Sequence, residues 1–188
     1  MNALTRFPLI IMNAAIWTGF LLLFAAALDV LAQEIIDAVK AADLSKVKAL
    51  VEADPRLLQA RDESGCTPLH WACRGVHFEV LKYLVGTGVD VNARDNGGTA
   101  PLHSLATRGH DQGIALLIAR KAEVNVRDAE GNTPLLFAAQ SGSLAAVRHL
   151  MDHGANAAGQ SHFGYTPLLR AIQSNSIEIA ELLIANGA

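Results

Sequence analysis

Neither sign of charge dominates this chain, and that absence is the first constraint. Fifteen lysines and arginines stand against eighteen acids, and the basic residues between Lys40 and Arg170 are interspersed with acidic ones. A nucleic-acid partner needs a clustered basic footprint, so none is expected. Cysteine is nearly missing: Cys66 and Cys73 allow one bridge at most, which excludes a disulfide-dense scaffold. No glycine-rich phosphate loop occurs, since Gly97-Gly98 reads as a turn. Aromatic residues make up only 5%, so a core must be filled with aliphatic side chains and alanine.

Charge is also missing from one long segment. After Arg6, the run from Phe7 to Leu28 holds none, and Asp29, Glu34 and Asp37 follow it. As a helix at about 1.5 Å per residue, such a run is long enough to span a bilayer. It reads either as a single-pass anchor or as an export signal, with cleavage after Ala32 or Ala27. Either reading leaves the N-terminus inside and the remainder outside. The expectation is a protein in the periplasm or at the extracytoplasmic face of the inner membrane, with a possible tether through residues 7–28.

What the remainder does contain is a period. Gly65-Cys66-Thr67-Pro68-Leu69-His70 is echoed by Gly98-Thr99-Ala100-Pro101-Leu102-His103, then by Gly131 to Leu136 and Gly164 to Leu169. Each block starts thirty-three residues after the last, without insertion or deletion. Thr-Pro places an N-cap hydroxyl before a residue with no amide to waste, so each block opens a short helix. Ala100 forfeits that cap. A second helix follows each time, at His77–Val85, His110–Ala119, Ser143–Met151 and Ser176–Ala185, with apolar residues such as Val80, Leu81, Leu84 and Val85 on one stripe. Gly109, Gly142 and Asn175 suit the turn between paired helices, whereas Val76 in the same register does not. Two short helices cannot bury both their faces, so the units must stack.

The pattern resembles the ankyrin repeat. Thr67-Pro68-Leu69-His70, Gly109-His110, Gly88-Val89-Asp90-Val91-Asn92 and Val124-Asn125 carry the resemblance, which runs from Asp62 to Ala188. It implies an all-α solenoid of helix pairs joined by short β-hairpin loops, here preceded by an N-terminal apolar helix. The expected organisation is a signal or anchor over 1–32, a degenerate capping repeat over 33–61, repeats over 62–94, 95–127 and 128–160, and a C-terminal capping repeat over 161–188. Array ends must meet water, and Glu34, Asp37 and Lys40 at one end and Glu178, Glu181 and Asn186 at the other supply polar residues for it.

Cys66, His70, Cys73 and His77 raise a metal or redox question. A tetrahedral site needs four side chains converging at about 2.0 to 2.3 Å from one ion. Residues strung from a turn along one short helix diverge instead. The resemblance gives His70, His103, His77 and His110 structural places, and Cys73 aligns with Ala106 and Ala139. No metal and no cofactor is expected. Ser104 and His103 are adjacent on a helix and do not face each other, so they form no catalytic pair, and no enzyme is expected.

The function expected is non-catalytic protein binding; the alternative is a membrane-tethered scaffold or a protective or inhibitory partner of an exported enzyme. The resemblance implies recognition through hairpin tips and the exposed side of each first helix. The first-helix positions hold Trp71 with Arg74, Ser104 with Thr107, Phe137 with Gln140, and Arg170 with Gln173. Trp71 and Phe137 are the aromatic anchors such a surface would use, although Trp71 reads equally well as packing within its own repeat. Arg61, Arg94 and Arg127 at the tips, with Arg74 and Arg170, suggest an unknown protein partner of acidic character.

Overall fold

A computed structural model describes residues 29–188 of the chain. The apolar run over residues 7–28, with the apolar helix and the export or anchor reading attached to it, lies outside the described residues. Among those described, no helix is long and apolar enough to cross a membrane.

The compact unit runs from Ala32 to Ala188. Residues 29–40 are helical (α1), followed by α2 (Leu44–Ala53) and a 3-10 turn over Pro55–Gln59. Four further pairs follow: α3 (Pro68–Gly75) with α4 (Phe78–Gly86), α5 (Pro101–Thr107) with α6 (Asp111–Ala119), α7 (Pro134–Ser141) with α8 (Leu144–Asp152), and α9 (Pro167–Gln173) with α10 (Ile177–Ala185). Each pair packs on itself and on its neighbours, with α3, α5, α7 and α9 in one layer and α4, α6, α8 and α10 in the other. Leu69, Leu81, Leu84, Leu102, Leu105, Ile114, Leu117 and Leu135 are sealed between the layers. Each contributes about 1.5 to 3 kcal/mol by leaving water, so the stack is held mainly by aliphatic burial.

The helix starts follow the Thr-Pro chemistry. Thr67, Thr133 and Thr166 accept from the backbone N–H of His70, Leu136 and Leu169. Ala100 has no oxygen to offer, but part of the cap survives because its own N–H donates to His103 Nδ1 at 3.0 Å. Thr67 N–H donates likewise to His70 Nδ1 at 3.1 Å. Both Nδ1 atoms are therefore acceptors, which fixes the protons on Nε2. His70 Nε2 then donates to Thr99 O at 2.9 Å and His103 Nε2 to Asn132 O at 3.1 Å. Each ring ties its helix start to the turn of the following repeat.

The connecting loops differ from expectation: among the described residues no β-strand forms, and the loops are not hairpins. A hairpin pair would exchange two backbone bonds. Asp62 N–H does donate to Cys66 O, but the Cys66 N–H is taken by the Asp62 carboxylate at 2.9 Å. Asp95 does the same to Thr99, and Asp128 to Asn132. The aspartate caps its own turn and stops the ladder after one bond. Backbone to backbone, adjacent tips share single bonds, Asn96 N–H to Ser64 O, Ala129 N–H to Gly97 O, and His162 N–H to Glu130 O.

Three residues sit where the repeat asks for glycine, and for Val76 and Lys121 the conformation is costly. Val76 takes the left-handed conformation at φ 54, as Gly109, Gly142 and Asn175 do in the same register. Lys121 at φ 67 stands in the column of Gly88, Gly154 and Gly187. A left-handed residue bearing a side chain costs about 1 to 2 kcal/mol, most for a β-branched one. Val76→Asn and Lys121→Gly should therefore each stabilise the protein by about 1 kcal/mol, a rise of about 2 to 4 °C in a thermal melt. An unchanged or lower Tm for both would show that the strain is relieved elsewhere.

The buried rings make a second prediction. Burial pushes the pKa of His70 and His103 down; bonds to the Thr99 and Asn132 carbonyls work against that shift without overcoming it. Below about pH 6.5 the unfolded chain then binds more protons than the native one. The stitches contribute fully above that pH and are lost as pH falls towards the native pKa values. Tm should fall between pH 7.5 and pH 5.0. His103→Leu uses the residue found at 136 and 169, should lower Tm at pH 7.5 by leaving Asn132 O and Ala100 N–H without the ring, and should flatten the pH dependence. A variant that keeps the wild-type slope would detach the slope from His103.

Candidate protein-binding face

Because the first helices stack side by side, residues thirty-three apart form rows across α3, α5, α7 and α9. One row is Trp71, Ser104, Phe137 and Arg170; the other is Arg74, Thr107, Gln140 and Gln173. Members of the two rows are three apart within a helix and share its face. Trp71 is half-buried, donates from Nε1 to Asp62 Oδ2 at 2.8 Å, and lies beneath Lys40 Nζ at 4.0 Å from its ring centre. Phe137 is half-buried with its ring edge-on to His103, centres 5.8 Å apart. Ser104 is nearly buried between them in register. Thr107, Gln140 and Gln173 are exposed, although Thr107 Oγ1 donates back to His103 O at 2.9 Å.

These rows enclose two adjoining clefts. One, of about 240 Å³, lies between Arg74, Ser104, Thr107, Arg108 and Phe137. The other, of about 330 Å³, lies between Lys40, Trp71, Arg74, His77 and Arg108. The sequence reading missed Lys40 and Arg108. Arg108 directly follows the Thr107 position and was legible as the cap of α5; Lys40 comes from the degenerate first unit, where no motif marks the register.

The arginines have other work. Arg61 donates to Gly65 O and Arg94 O, both at 2.7 Å. Arg94 donates to Arg127 O, and Arg127 to Gln160 O at 2.7 Å. Gln160 closes the column by bonding Gly164 O within its own turn. Arg74 is paired with the nearly buried carboxylate of Asp95 at 2.8 Å. Arg170 lies over the Tyr165 ring at 3.9 Å and bonds Gln173. The expectation of an acidic partner is corrected: these guanidinium groups spend their donors inside the stack.

The cysteines and histidines of the α3 region are likewise accounted for by packing. Cys66 Sγ lies 3.6 Å from Asp95 Oδ2, and burial pushes its pKa up to about 11. Cys73 is fully buried and its pKa is also raised by burial. Both are free thiols, held protonated and poorly nucleophilic. His70 belongs to the stitch, and His77 precedes α4 at its N-cap. Asp62 and Asp95 are partly buried, which favours their neutral forms, but backbone N–H bonds from Cys66 and from Thr99 and Gly97 outweigh that and hold both carboxyls below their usual range.

Comparison with known proteins agrees with the stack and corrects its setting. The ankyrin repeats (3 copies) family matches residues 35–128 and 102–188. The 26S proteasome non-ATPase regulatory subunit 10 of Homo sapiens is 39% identical over 49 residues, 26% of this chain and 22% of that protein. Its counterparts in Mus musculus and Rattus norvegicus are also 39% identical over 49 residues, covering 21% of each. The match thus spans about a fifth of the length of these relatives. They are mammalian proteins named for a proteasome, which overturns the expectation of an exported bacterial type. With it go the periplasmic or outer-face location, the membrane tether, and the alternative role beside an exported enzyme. Among the described residues no group of histidine, cysteine and carboxylate side chains could hold a metal ion. Matched from residue 35 to residue 188 and built on a strict thirty-three-residue period, the chain belongs to the ankyrin repeat family.

Proposed function

We propose that the chain is a protein-binding module that engages its partner along the first-helix face. The observation that carries this reading is the cleft bounded by Ser104, Thr107 and Phe137, where a half-exposed aromatic stands beside polar side chains. The neighbouring repeats leave it open. A half-buried ring already fixed against His103 loses little entropy on docking and presents apolar area at low cost, the behaviour of an interface anchor. Gln140 and Gln173 extend the same face with uncharged donors and acceptors, and Arg170 frames it. Trp71 and Arg74 contribute as the edge of the second cleft, each braced by a bond to an aspartate. Arg61, Arg94 and Arg127 act indirectly, by holding the tips in line. That the matched relatives are named as regulatory subunits of a protein assembly supports protein rather than small-molecule recognition.

A photo-crosslinking residue placed at Thr107 or Gln140 should trap a protein in cells, whereas one at Glu79 or Arg148, on the second helices, should trap it weakly or not at all. With the trapped protein in hand, Phe137→Ala should weaken binding by about 2 kcal/mol, roughly thirty-fold, while keeping the helical circular dichroism of the parent. Equal trapping from Glu79 or Arg148 would move the binding surface to the other layer.

A further inference from the structure

We infer that Asn96-Gly97 is a self-modifying pair that the stack holds shut: its deamidation marks an opening of the junction between the α3–α4 and α5–α6 units, and then leaves that junction weakened. An asparagine followed by glycine is the sequence most open to this reaction, because glycine has no side chain to crowd the attacking nitrogen. The same tip position in the other units holds Glu63-Ser64, Ala129-Glu130 and His162-Phe163, none of which carries a side-chain amide. Both Asn96 and Gly97 are exposed to water, so what restrains them is bonding rather than burial. The Gly97 N–H donates to Asp95 Oδ1 at 2.9 Å. The Asn96 carboxamide lies against Gly65, where a Cβ would collide with its Oδ1, and its Nδ2 donates to Glu63 O at 3.0 Å. Ring closure requires the carboxamide to leave the preceding unit and the Gly97 nitrogen to shed the proton that Asp95 holds. The first of these locks belongs to the neighbouring repeat, so it opens when the junction does.

In the reaction the Gly97 nitrogen gives its proton to hydroxide and attacks Asn96 Cγ; the new C–N bond closes a succinimide ring, and Nδ2 leaves as ammonia. Water then adds to one of the two ring carbonyls and opens the ring to aspartate or isoaspartate, with no change of oxidation state. Either product puts a carboxylate in place of the Nδ2 donor, so Glu63 O loses its partner across the junction. Isoaspartate does more. It inserts a methylene into the main chain between two bonds to neighbouring units, Asn96 N–H to Ser64 O and Ala129 N–H to Gly97 O, and so disturbs their spacing.

Ageing the full chain in mildly alkaline buffer tests this, with peptide mapping to separate Asn96 from Asn186-Gly187, the other pair of this kind. Asn96 should convert about tenfold or more slowly in the folded chain than in urea. Arg61→Ala removes the bond to Arg94 O at this junction and should speed conversion in the folded chain. Arg127→Ala removes the matching bond to Gln160 O two units further on and should leave the rate near that of the parent. Asn96→Asp, the direct product, should lower Tm by about 2 to 4 °C with the helical circular dichroism kept. Equal rates in the folded and the urea-unfolded chain overturn the proposal. So does Arg127→Ala speeding conversion as much as Arg61→Ala, since the gate would then not lie at this junction. An unchanged Tm in Asn96→Asp overturns the lasting weakening.

Discussion

A pair of helices seven to nine residues long cannot stand by itself in water, and everything in this protein follows from that insufficiency. Each pair has one face closed by its partner and two faces that only neighbouring pairs can close. The apolar side chains between the layers supply most of the energy. What they do not supply is register, because a stripe of leucine and alanine slides on another stripe with little penalty. Register comes from the polar ties: His70 and His103 at the helix starts, the arginine column at the tips, and Asn92 and Asn125 at the other end of each unit. Asn92 bonds Lys121 O and the Glu123 N–H, and Asn125 bonds Gly154 O and the Asn156 N–H. These ties repeat at separations of twenty-nine to thirty-three residues, so one slipped unit would break all of them together.

The same constraint sorts surface residues into those with work inside the stack and those without. Exposure alone does not make the distinction. Arg61, Arg94 and Arg127 are exposed residues whose heads are bonded to the next turn. Each donor satisfies a carbonyl that a tight turn leaves without a ladder partner, so removing an arginine leaves a backbone group short as well as a side chain missing. Gln140 and Gln173, by contrast, are exposed in the first-helix rows, and Gln173 bonds only Arg170 of the same row pair. A surface available to a partner is made of the second kind.

Much of the fold was legible because it is periodic. The Thr-Pro starts, the paired helices to within a residue or so, and the misfit at Val76 could all be read from residues thirty-three apart. The loops could not be read correctly. An aspartate before a glycine-bearing turn serves a hairpin or a self-capped turn equally well, and only geometry shows which N–H the carboxylate takes. The candidate site was legible in its rows but not in its charges. A sequence gives the sign of Arg94, not whether its donors are used, and it gave no register for Lys40, because α1 lacks the motif that marks the others. At the C-terminal end Glu178 and Glu181 are exposed, and helical spacing leaves Ile177 and Ile184 exposed beside them.

The ties are also unevenly distributed, and that has energetic meaning. His70 stitches α3 to the turn before α5, and His103 stitches α5 to the turn before α7; Leu136 occupies the next place. The junction between α7 and α9 is therefore held by burial, by Arg127, by Asn125 and by the Ser174 hydroxyl on Ala139 O, with no ring between the layers. A hydrogen bond adds about 0.5 to 1.5 kcal/mol net, whereas a buried leucine adds about 1.5 to 3. Exchanging the histidine for leucine at that junction thus need not weaken it; it trades a directional contact, dependent on protonation, for a stronger and indifferent one. In a quasi-one-dimensional array, where each unit feels only its neighbours, such a trade is local. The middle junctions answer to pH, and the α7–α9 junction answers to the apolar area that covers it.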